Sequence, residues 1–127
     1  MMNSVTNDIK IMIGQMIIVG LRGTSPDDAK YFFKSLNGLT IGGVILYDQN
    51  VTTSPPSSHN ILSPEQVKDF NEALQSFSPT PLLIGIDQEG GRVNRLKEKY
   101  GFPNFMSWGE LGRINDLKIT NEQSLLM

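Results

Sequence analysis

Apolar residues recur along the chain in two alternating patterns. Short, fully apolar runs occupy residues 16–19, 41–47 and 82–86, while residues 29–36 and 67–77 carry apolar side chains at helical spacing. Runs that are apolar on both faces are typical of buried parallel strands, and the spaced stripes predict amphipathic helices. With a short helical start at 6–13, the order α-β-α-β-α-β predicts an α/β fold built on a parallel sheet or barrel.

The two later helices carry clear start and stop signals. Ser25 is the predicted N-cap of the first, Pro26 occupies its first position, and Asn37-Gly38 is the expected stop. Ser63 and Gln66 stand at the N-cap and capping-box positions of the second. Its predicted buried stripe consists of Val67, Phe70, Leu74 and Phe77.

The segments outside this alternation are less regular. Residues 51–62 are rich in Pro, Ser and Thr and predict a surface loop. After residue 103 the signals weaken, and Thr120-Asn121-Glu122-Gln123 resembles a capping box close to the last residue, Met127. A helix start with so little sequence behind it leads us to expect a single partial domain over residues 1–127.

Composition places the chain among soluble globular domains. It has 127 residues, 39% hydrophobic residues and a net charge of −2, which is too balanced for a nucleic-acid footprint. Cysteine is absent and His59 is the single histidine, so neither a thiolate site nor a zinc site is expected. We therefore expect neither of these metal sites and no nucleic-acid partner.

The apolar run at residues 11–21 does not predict a membrane partner. Gln15 interrupts it, only one lysine precedes it, and it is shorter than the roughly 20 apolar residues that cross a bilayer. A secretory signal also requires a basic start and a small-residue cleavage site. We interpret the run as core and expect a cytoplasmic protein.

The stretch IGIDQEGGRVNRL at the end of the third predicted strand concentrates the candidate chemistry. Ligands of parallel α/β folds gather at the carboxyl ends of strands, where Asp87 and Glu89 lie. If the extended conformation continues through Glu89, both carboxylates face the same side. Arg92 and Arg95 are the nearby cations that would keep them ionised, and Gly90-Gly91 permits a sharp turn.

Three interpretations of this stretch compete. It can be an ion-pair network that joins a strand end to the next element. It can be a phosphate-binding turn, although the Gly-x-Gly-x-x-Gly pattern and a following lysine are absent and two carboxylates would repel an anion. It can also be a sugar site in which a carboxylate accepts hydrogen bonds from vicinal hydroxyls. The residue chemistry alone slightly favours the sugar site and leaves the ion-pair network open.

Several stretches together resemble the N-terminal part of glycoside hydrolase family 3, most closely its bacterial β-N-acetylglucosaminidase branch. They are IGQMIIVGLRG, IGGVILYDQN, SPEQ and above all LLIGIDQEGGRVNRL followed by YGFP. The resemblance runs from about residue 9 to the end. It implies a (β/α)8 TIM-type barrel, truncated here, that releases terminal β-linked N-acetylglucosamine with retention through a covalent glycosyl-enzyme. It also implies no metal and no organic cofactor.

The resemblance also implies roles for the residues of the motif. Asp87 corresponds to the family's aspartate that binds hydroxyls of the terminal sugar. The other matching positions are expected to shape the pocket and its loop: Glu89, Gly90, Gly91, Arg92 and Arg95.

No catalytic residue is expected in this chain. Retaining hydrolysis needs a nucleophile and an acid/base group, and in the resembled branch these follow later in the barrel. His59 sits in the Pro/Ser-rich loop and is interpreted as a solvated loop residue. We expect the chain alone to be inactive. A complete barrel takes about 250 residues, so a truncated one would expose a sheet edge open to self-association.

Three weaker candidates lie outside the motif. Asp48 and Asn50 follow the second strand, and Asn50 matches a position that the resembled family often fills with asparagine; a plain turn role is equally open. Trp108 could stack on a sugar, but a buried or interface position is the more frequent outcome for a lone tryptophan.

The resulting hypothesis is the N-terminal portion of a glycosidase that acts on amino-sugar glycosides such as cell-wall fragments. Two alternatives stay open. One is a non-catalytic carbohydrate-binding or interaction module that dimerises across its open sheet, and the other is a nonfunctional truncated product. A nucleotide-binding protein would need a phosphate cradle that the sequence lacks.

Overall fold

The computed structural model describes residues 2–126, which fold as two units. The first unit ends at Ile86 and the second begins at Asp87. The first contains α1 (Met2–Gln15), β1 (Ile18–Gly20), α2 (Pro26–Ser35), β2 (Gly43–Leu46), β3 (Gln49–Asn50), β4 (Ser57–Ser58), α3 (Pro64–Phe77) and β5 (Leu83–Ile86). The second contains β6 (Gln88–Gly90), β7 (Val93–Asn94), a 3-10 turn (Glu98–Tyr100), α4 (Trp108–Ile114) and α5 (Leu117–Leu126).

A parallel sheet with the strand order β1-β2-β5 forms the centre of the first unit. In its register Val19 pairs with Val44 and Val44 with Ile84. Side chains alternate between the faces of a strand, so this row points to one face of the sheet. The predicted alternation of helices with parallel strands is confirmed.

The hydrophobic core lies on that face, between the sheet and the helices α2 and α3. The two helices pack against each other and send apolar side chains into the same cluster. Its buried members are Leu21, Ala29, Ile41, Val44, Leu46, Phe70, Ala73, Leu74 and Leu82. On the opposite face the paired row Ile18, Gly43 and Leu83 leaves Ile18 55% and Leu83 69% exposed.

The start of α2 follows the prediction closely. The Ser25 hydroxyl accepts a hydrogen bond from the Asp28 N–H at 3.2 Å, and the Asp28 carboxylate accepts one from the Ser25 N–H at 3.0 Å. This reciprocal pair is a capping box, which satisfies two backbone donors at once. The helix ends before Asn37 and Gly38, whose φ angles of 51° and 83° are left-handed, as expected for a stop.

The start of α3 differs in one respect. The Ser63 hydroxyl accepts from the Gln66 N–H as predicted, but the Gln66 side-chain oxygen accepts from the N–H of Leu62 instead of closing a capping box with Ser63. The Gln66 amide group donates to Thr24 O at 2.7 Å. Gln66 therefore joins the start of α3 to the segment that follows β1.

Several predicted boundaries were wrong. The first strand starts at Ile18 and not at Met16, because α1 runs to Gln15 and helix-like turn bonds follow it, from Met16 N to Ile13 O. Phe77, placed in the buried stripe, is 39% exposed at the last position of α3. The last helix starts at Leu117, where the Asp116 carboxylate accepts from two backbone N–H groups, and not at the capping box proposed at 120–123.

The loop predicted at residues 51–62 contains two buried residues near its end. Residues 51–58 are exposed, whereas Asn60 and Ile61 are fully buried. The Asn60 side chain accepts from Tyr47 N at 3.0 Å and donates to Leu21 O at 3.1 Å and Gly23 O at 3.0 Å. The Asn60 side-chain amide thus connects the segments that follow β1 and β2, a role that was not predicted from the sequence.

We expect Asn60→Ala to lower the free energy of unfolding by about 2–4 kcal/mol, because it removes three hydrogen bonds to buried or partly buried backbone groups and leaves the Tyr47 N–H and the Gly23 carbonyl without this partner. Urea unfolding measures the change. The matched control is Asn104→Ala, at an exposed position of the second unit, which should stay within about 0.5 kcal/mol of the parent. Equal urea concentrations at the unfolding midpoint of the two variants would contradict the structural role of Asn60.

Candidate functional site

The DQEGG motif forms a hairpin at the start of the second unit. Asp87 directly follows β5 in the chain, and β6 pairs antiparallel with β7 so that Gln88 faces Asn94 and Gly90 faces Val93. The chain therefore stays extended past Asp87, as the sequence analysis required. Asp87 and Glu89 are exposed and Gln88 between them is half-buried, which is the alternation expected of a strand.

Gln88 holds the two strands of this hairpin together. Its side-chain oxygen accepts from the N–H groups of Arg95 at 3.0 Å and Leu96 at 3.1 Å. Its side-chain nitrogen donates to the side-chain oxygen Oδ1 of Asn94 at 3.0 Å. Gln88 was not among the predicted site residues, because its charged neighbours carried the apparent chemistry, yet its side-chain amide fixes the loop that carries them.

Arg95 is the cation that the structure brings to Asp87. Its Nη2 lies 3.9 Å from Asp87 Oδ2, and the two side chains are 28% and 48% exposed. An ion pair of this length and exposure contributes about 0–1 kcal/mol to stability, so its consequence is orientation of the carboxylate rather than fold stability. Glu89 and Arg92 are exposed on the same hairpin.

The two glycines make the turn between β6 and β7. Gly90 and Gly91 have φ angles of 75° and 58°, in the left-handed region that favours glycine. A Cβ atom at Gly90 would collide with the carbonyl oxygen of Met106, and one at Gly91 would lie 3.0 Å from the Ser107 Cβ. The turn therefore packs directly on residues 106–107, as expected for a glycine pair that admits a close neighbour.

Asn50 and Asp48 follow β2 in the first unit. The Asn50 side chain is half-buried, and its oxygen accepts from the Thr52 N–H at 3.1 Å and the Thr52 hydroxyl at 2.6 Å. These local bonds are those of a turn residue. Asp48 is 1% exposed and is therefore not a surface group. The buried asparagine of this region is Asn60.

His59 is not the solvated loop residue that the sequence analysis expected. It is half-buried, its imidazole donates to the Leu21 backbone carbonyl, and its ring centre lies 6.2 Å from that of Tyr47. Burial lowers the pKa of His59 below its usual value, and the positive charge of Arg22 lowers it further, while the bond to Leu21 opposes both. The lowered pKa favours the neutral imidazole.

His59 and Arg22 belong to one polar cleft in the first unit. The cleft has a volume of about 410 Å³, within the range of ligand sites. Its polar lining comes from the segments that follow β1 and β2: Arg22, Thr24, Asn50, Ser57, Ser58 and His59.

Trp108, the remaining aromatic candidate, is the first residue of α4. Its side chain is 48% exposed and borders a small cleft of about 200 Å³ together with Leu111 and Leu117. Among residues 2–126 no group of His, Cys, Asp and Glu side chains could hold a metal ion. Over the same residues, none of the helices has the length and apolar character needed to span a membrane.

We expect Gly90→Ala to destabilise the second unit by about 1–4 kcal/mol, because alanine disfavours a positive φ and its Cβ meets the Met106 carbonyl. Trp108 is the only tryptophan and lies in this unit, so its fluorescence during urea unfolding is the measurement.

The matched control carries the same chemical change with the opposite expected sign. Gly112 lies inside α4, where a Cβ meets nothing within 4 Å, so Gly112→Ala should stabilise by about 0.5–1 kcal/mol. If Gly90→Ala were stabilising too, the close packing of the turn would be refuted.

Comparison with known proteins supports one family over nearly the whole chain. Residues 8–124 match the family described as the glycosyl hydrolase family 3 N terminal domain. A protein named Beta-hexosaminidase from Alkalilimnicola ehrlichii is 40% identical over 76 residues, which are 60% of this chain and 18% of that protein. One of the same name from Stenotrophomonas maltophilia is 33% identical over 85 residues, 67% of this chain and 22% of that protein.

The matched part of the chain thus spans about a fifth of the length of these relatives. The family match includes both the parallel sheet of the first unit and the DQEGG hairpin of the second. From residue 8 to residue 124, the chain belongs to glycosyl hydrolase family 3 and corresponds to its N-terminal domain.

Proposed function

We propose that this chain is the N-terminal part of a retaining β-N-acetylhexosaminidase that hydrolyses O-glycosyl bonds and releases terminal β-linked N-acetylglucosamine. The observation that carries the proposal is the family match over residues 8–124, together with relatives that bear the name Beta-hexosaminidase. In this proposal the 127 residues contribute to sugar binding, and the nucleophile and acid/base group come from elsewhere in the complete enzyme.

The sheet topology supports a (β/α)8 barrel as the complete fold. β1, β2 and β5 are neighbours in chain order, all parallel, and α2 and α3 cover the same face of the sheet. A barrel has this arrangement, with helices outside and strands in sequential order, whereas a doubly wound sheet reverses its strand order and carries helices on both faces. The exposed Ile18 and Leu83 would then point into the barrel interior.

Asp87 is the proposed sugar-binding residue. It directly follows β5, and catalytic and binding residues of such barrels come from the carboxyl ends of strands. Its carboxylate is accessible and is oriented by Arg95, so its oxygens can accept hydrogen bonds from sugar hydroxyls. Glu89 and Arg92 are exposed on the same hairpin and are proposed to shape the pocket around the sugar.

The 127 residues alone are proposed to bind without hydrolysing. Retention requires a carboxylate nucleophile and a separate proton donor on the two sides of the glycosidic bond, about 5 Å apart. Asp87 already has a binding role in this scheme, and His59 is used in a bond to the Leu21 carbonyl. Neither residue is therefore assigned to bond cleavage.

The test is calorimetric binding of N-acetylglucosamine to the 127-residue chain and to Asp87→Asn. Losing a charged acceptor should weaken binding about tenfold or more. Asp69→Asn, which changes an exposed aspartate of α3, is the matched control and should leave the affinity unchanged. Equal affinities of the parent chain and Asp87→Asn would refute the role of Asp87.

A second measurement tests the hydrolase assignment itself. The native product, captured from its source cells with an antibody to residues 25–37, should release the chromophore from an aryl N-acetylglucosaminide, and the 127-residue chain should not. Turnover by the 127-residue chain that Asp87→Ala abolishes would overturn the division between binding and chemistry. An inactive native product that still binds the sugar would indicate a carbohydrate-binding protein instead.

A further inference from the structure

The polar cleft of the first unit has no part in the proposed role of Asp87. Arg22 and His59 line this cleft together with the polar residues Thr24, Asn50, Ser57 and Ser58. Among the described residues that line it, none is acidic. Two groups able to carry positive charge, surrounded by hydrogen-bonding side chains, are a combination that suits an anionic and hydroxylated ligand.

The walls of this cleft are held by side-chain amides rather than by loop contacts alone. Asn60 joins the Leu21 and Gly23 carbonyls on the β1 side to the Tyr47 N–H on the β2 side. Gln66 donates to both Thr24 O and Asn60 O, at 2.7 and 3.2 Å. These bonds fix the backbone segment that carries Arg22 and the segment that carries His59, and with them two sides of the cleft.

The third side of the cleft is a small hairpin. β3 and β4 pair antiparallel, with Asn50 opposite Ser57 and Gln49 opposite Ser58. The Ser57 N–H donates to the Thr53 hydroxyl at 3.0 Å, which closes the connection between the two strands. Ser57 and Ser58 therefore line the cleft as part of a regular hairpin.

The protonation state of His59 can respond to a ligand bound in this cleft. Its imidazole donates to the Leu21 carbonyl, its ring centre lies 6.2 Å from that of Tyr47, and the charge of Arg22 is close enough to act on it. The charge of Arg22 disfavours a second positive charge at this position. An anion bound between the two groups would offset that repulsion and would favour the imidazolium form.

We propose that the cleft of Arg22 and His59 binds an oxyanion, a carboxylate or a phosphate group carried by a hydroxylated ligand, with the Arg22 guanidinium and the His59 imidazole as its charged contacts. Sugar acids and sugar phosphates share this chemistry. The proposal does not rest on the glycosidase assignment, because the cleft is formed within the first unit by residues other than Asp87.

The test uses proton NMR of the His59 imidazole in the 127-residue chain. His59 is the only histidine, so its ring resonances need no separate assignment. Titration over pH is carried out with glucuronate, with inorganic phosphate, with neutral glucose, and with sodium chloride at matched ionic strength. We expect the pKa of His59 to rise with at least one of the two anions, and not with glucose or chloride.

The identity of the active anion distinguishes the two ligand sources. A rise with glucuronate alone indicates a sugar acid, and a rise with phosphate alone indicates a phosphate ester. Arg22→Gln should weaken the response about tenfold, as expected for loss of a charged hydrogen-bond donor. Arg113→Gln, at an exposed position of the second unit, is the matched control and should respond as the parent does.

Three results would overturn the proposal. They are a His59 pKa that neither anion moves, an equal shift with chloride, and an unchanged response in Arg22→Gln. Thermal unfolding of each variant shows that it is folded at the titration temperature, and Arg22→Lys, which keeps the charge, should retain part of the response. None of these readouts requires glycoside hydrolysis, so they stand or fall separately from the proposed enzyme activity.

Discussion

The carboxyl ends of β1 and β2 are joined by one buried amide. Asn60 satisfies the Tyr47 N–H and the carbonyls of Leu21 and Gly23, three backbone groups located where the chain leaves the sheet. A buried backbone group without a partner costs about 1–3 kcal/mol, so the exits of both strands depend on this residue. Gln66 donates to Asn60 O and so extends this network to the start of α3. The Leu21 carbonyl also accepts from His59, which lines the polar cleft.

The features of the fold that were predicted correctly from the sequence depend on residues close together in the chain. The N-caps Ser25 and Ser63 were found because capping depends on residues within one turn, and the strands because fully apolar runs have few other uses. The start of β1 was missed because residues 11–21 are apolar across the junction, which leaves no periodicity to separate a helix from the strand that follows it. Asn60 was missed because it bonds a carbonyl 39 residues away.

The DQEGG hairpin shows the same limit at the level of the site. Its sequence presents charge, and the charged residues Asp87, Glu89 and Arg92 are indeed exposed. The geometry, however, depends on Gln88 and Gly90, whose bonds and close approach hold the turn on the rest of its unit. The residues that fix the loop alternate with those that it presents, since successive side chains of an extended segment face opposite sides.

The uncovered face of the sheet connects the fold to the family. Helices α2 and α3 take one face, while Ile18 and Leu83 remain exposed on the other, separated by Gly43, where a Cβ would collide with the Leu83 carbonyl. Burial of apolar surface contributes about 25 cal/mol of free energy per Å². Covering the two large aliphatic side chains on this open face of the sheet would therefore stabilise the fold. In a closed barrel the remaining strands would provide it, with side chains from alternate strands stacked in layers. The one-sided sheet therefore supports the barrel that we propose for the complete enzyme.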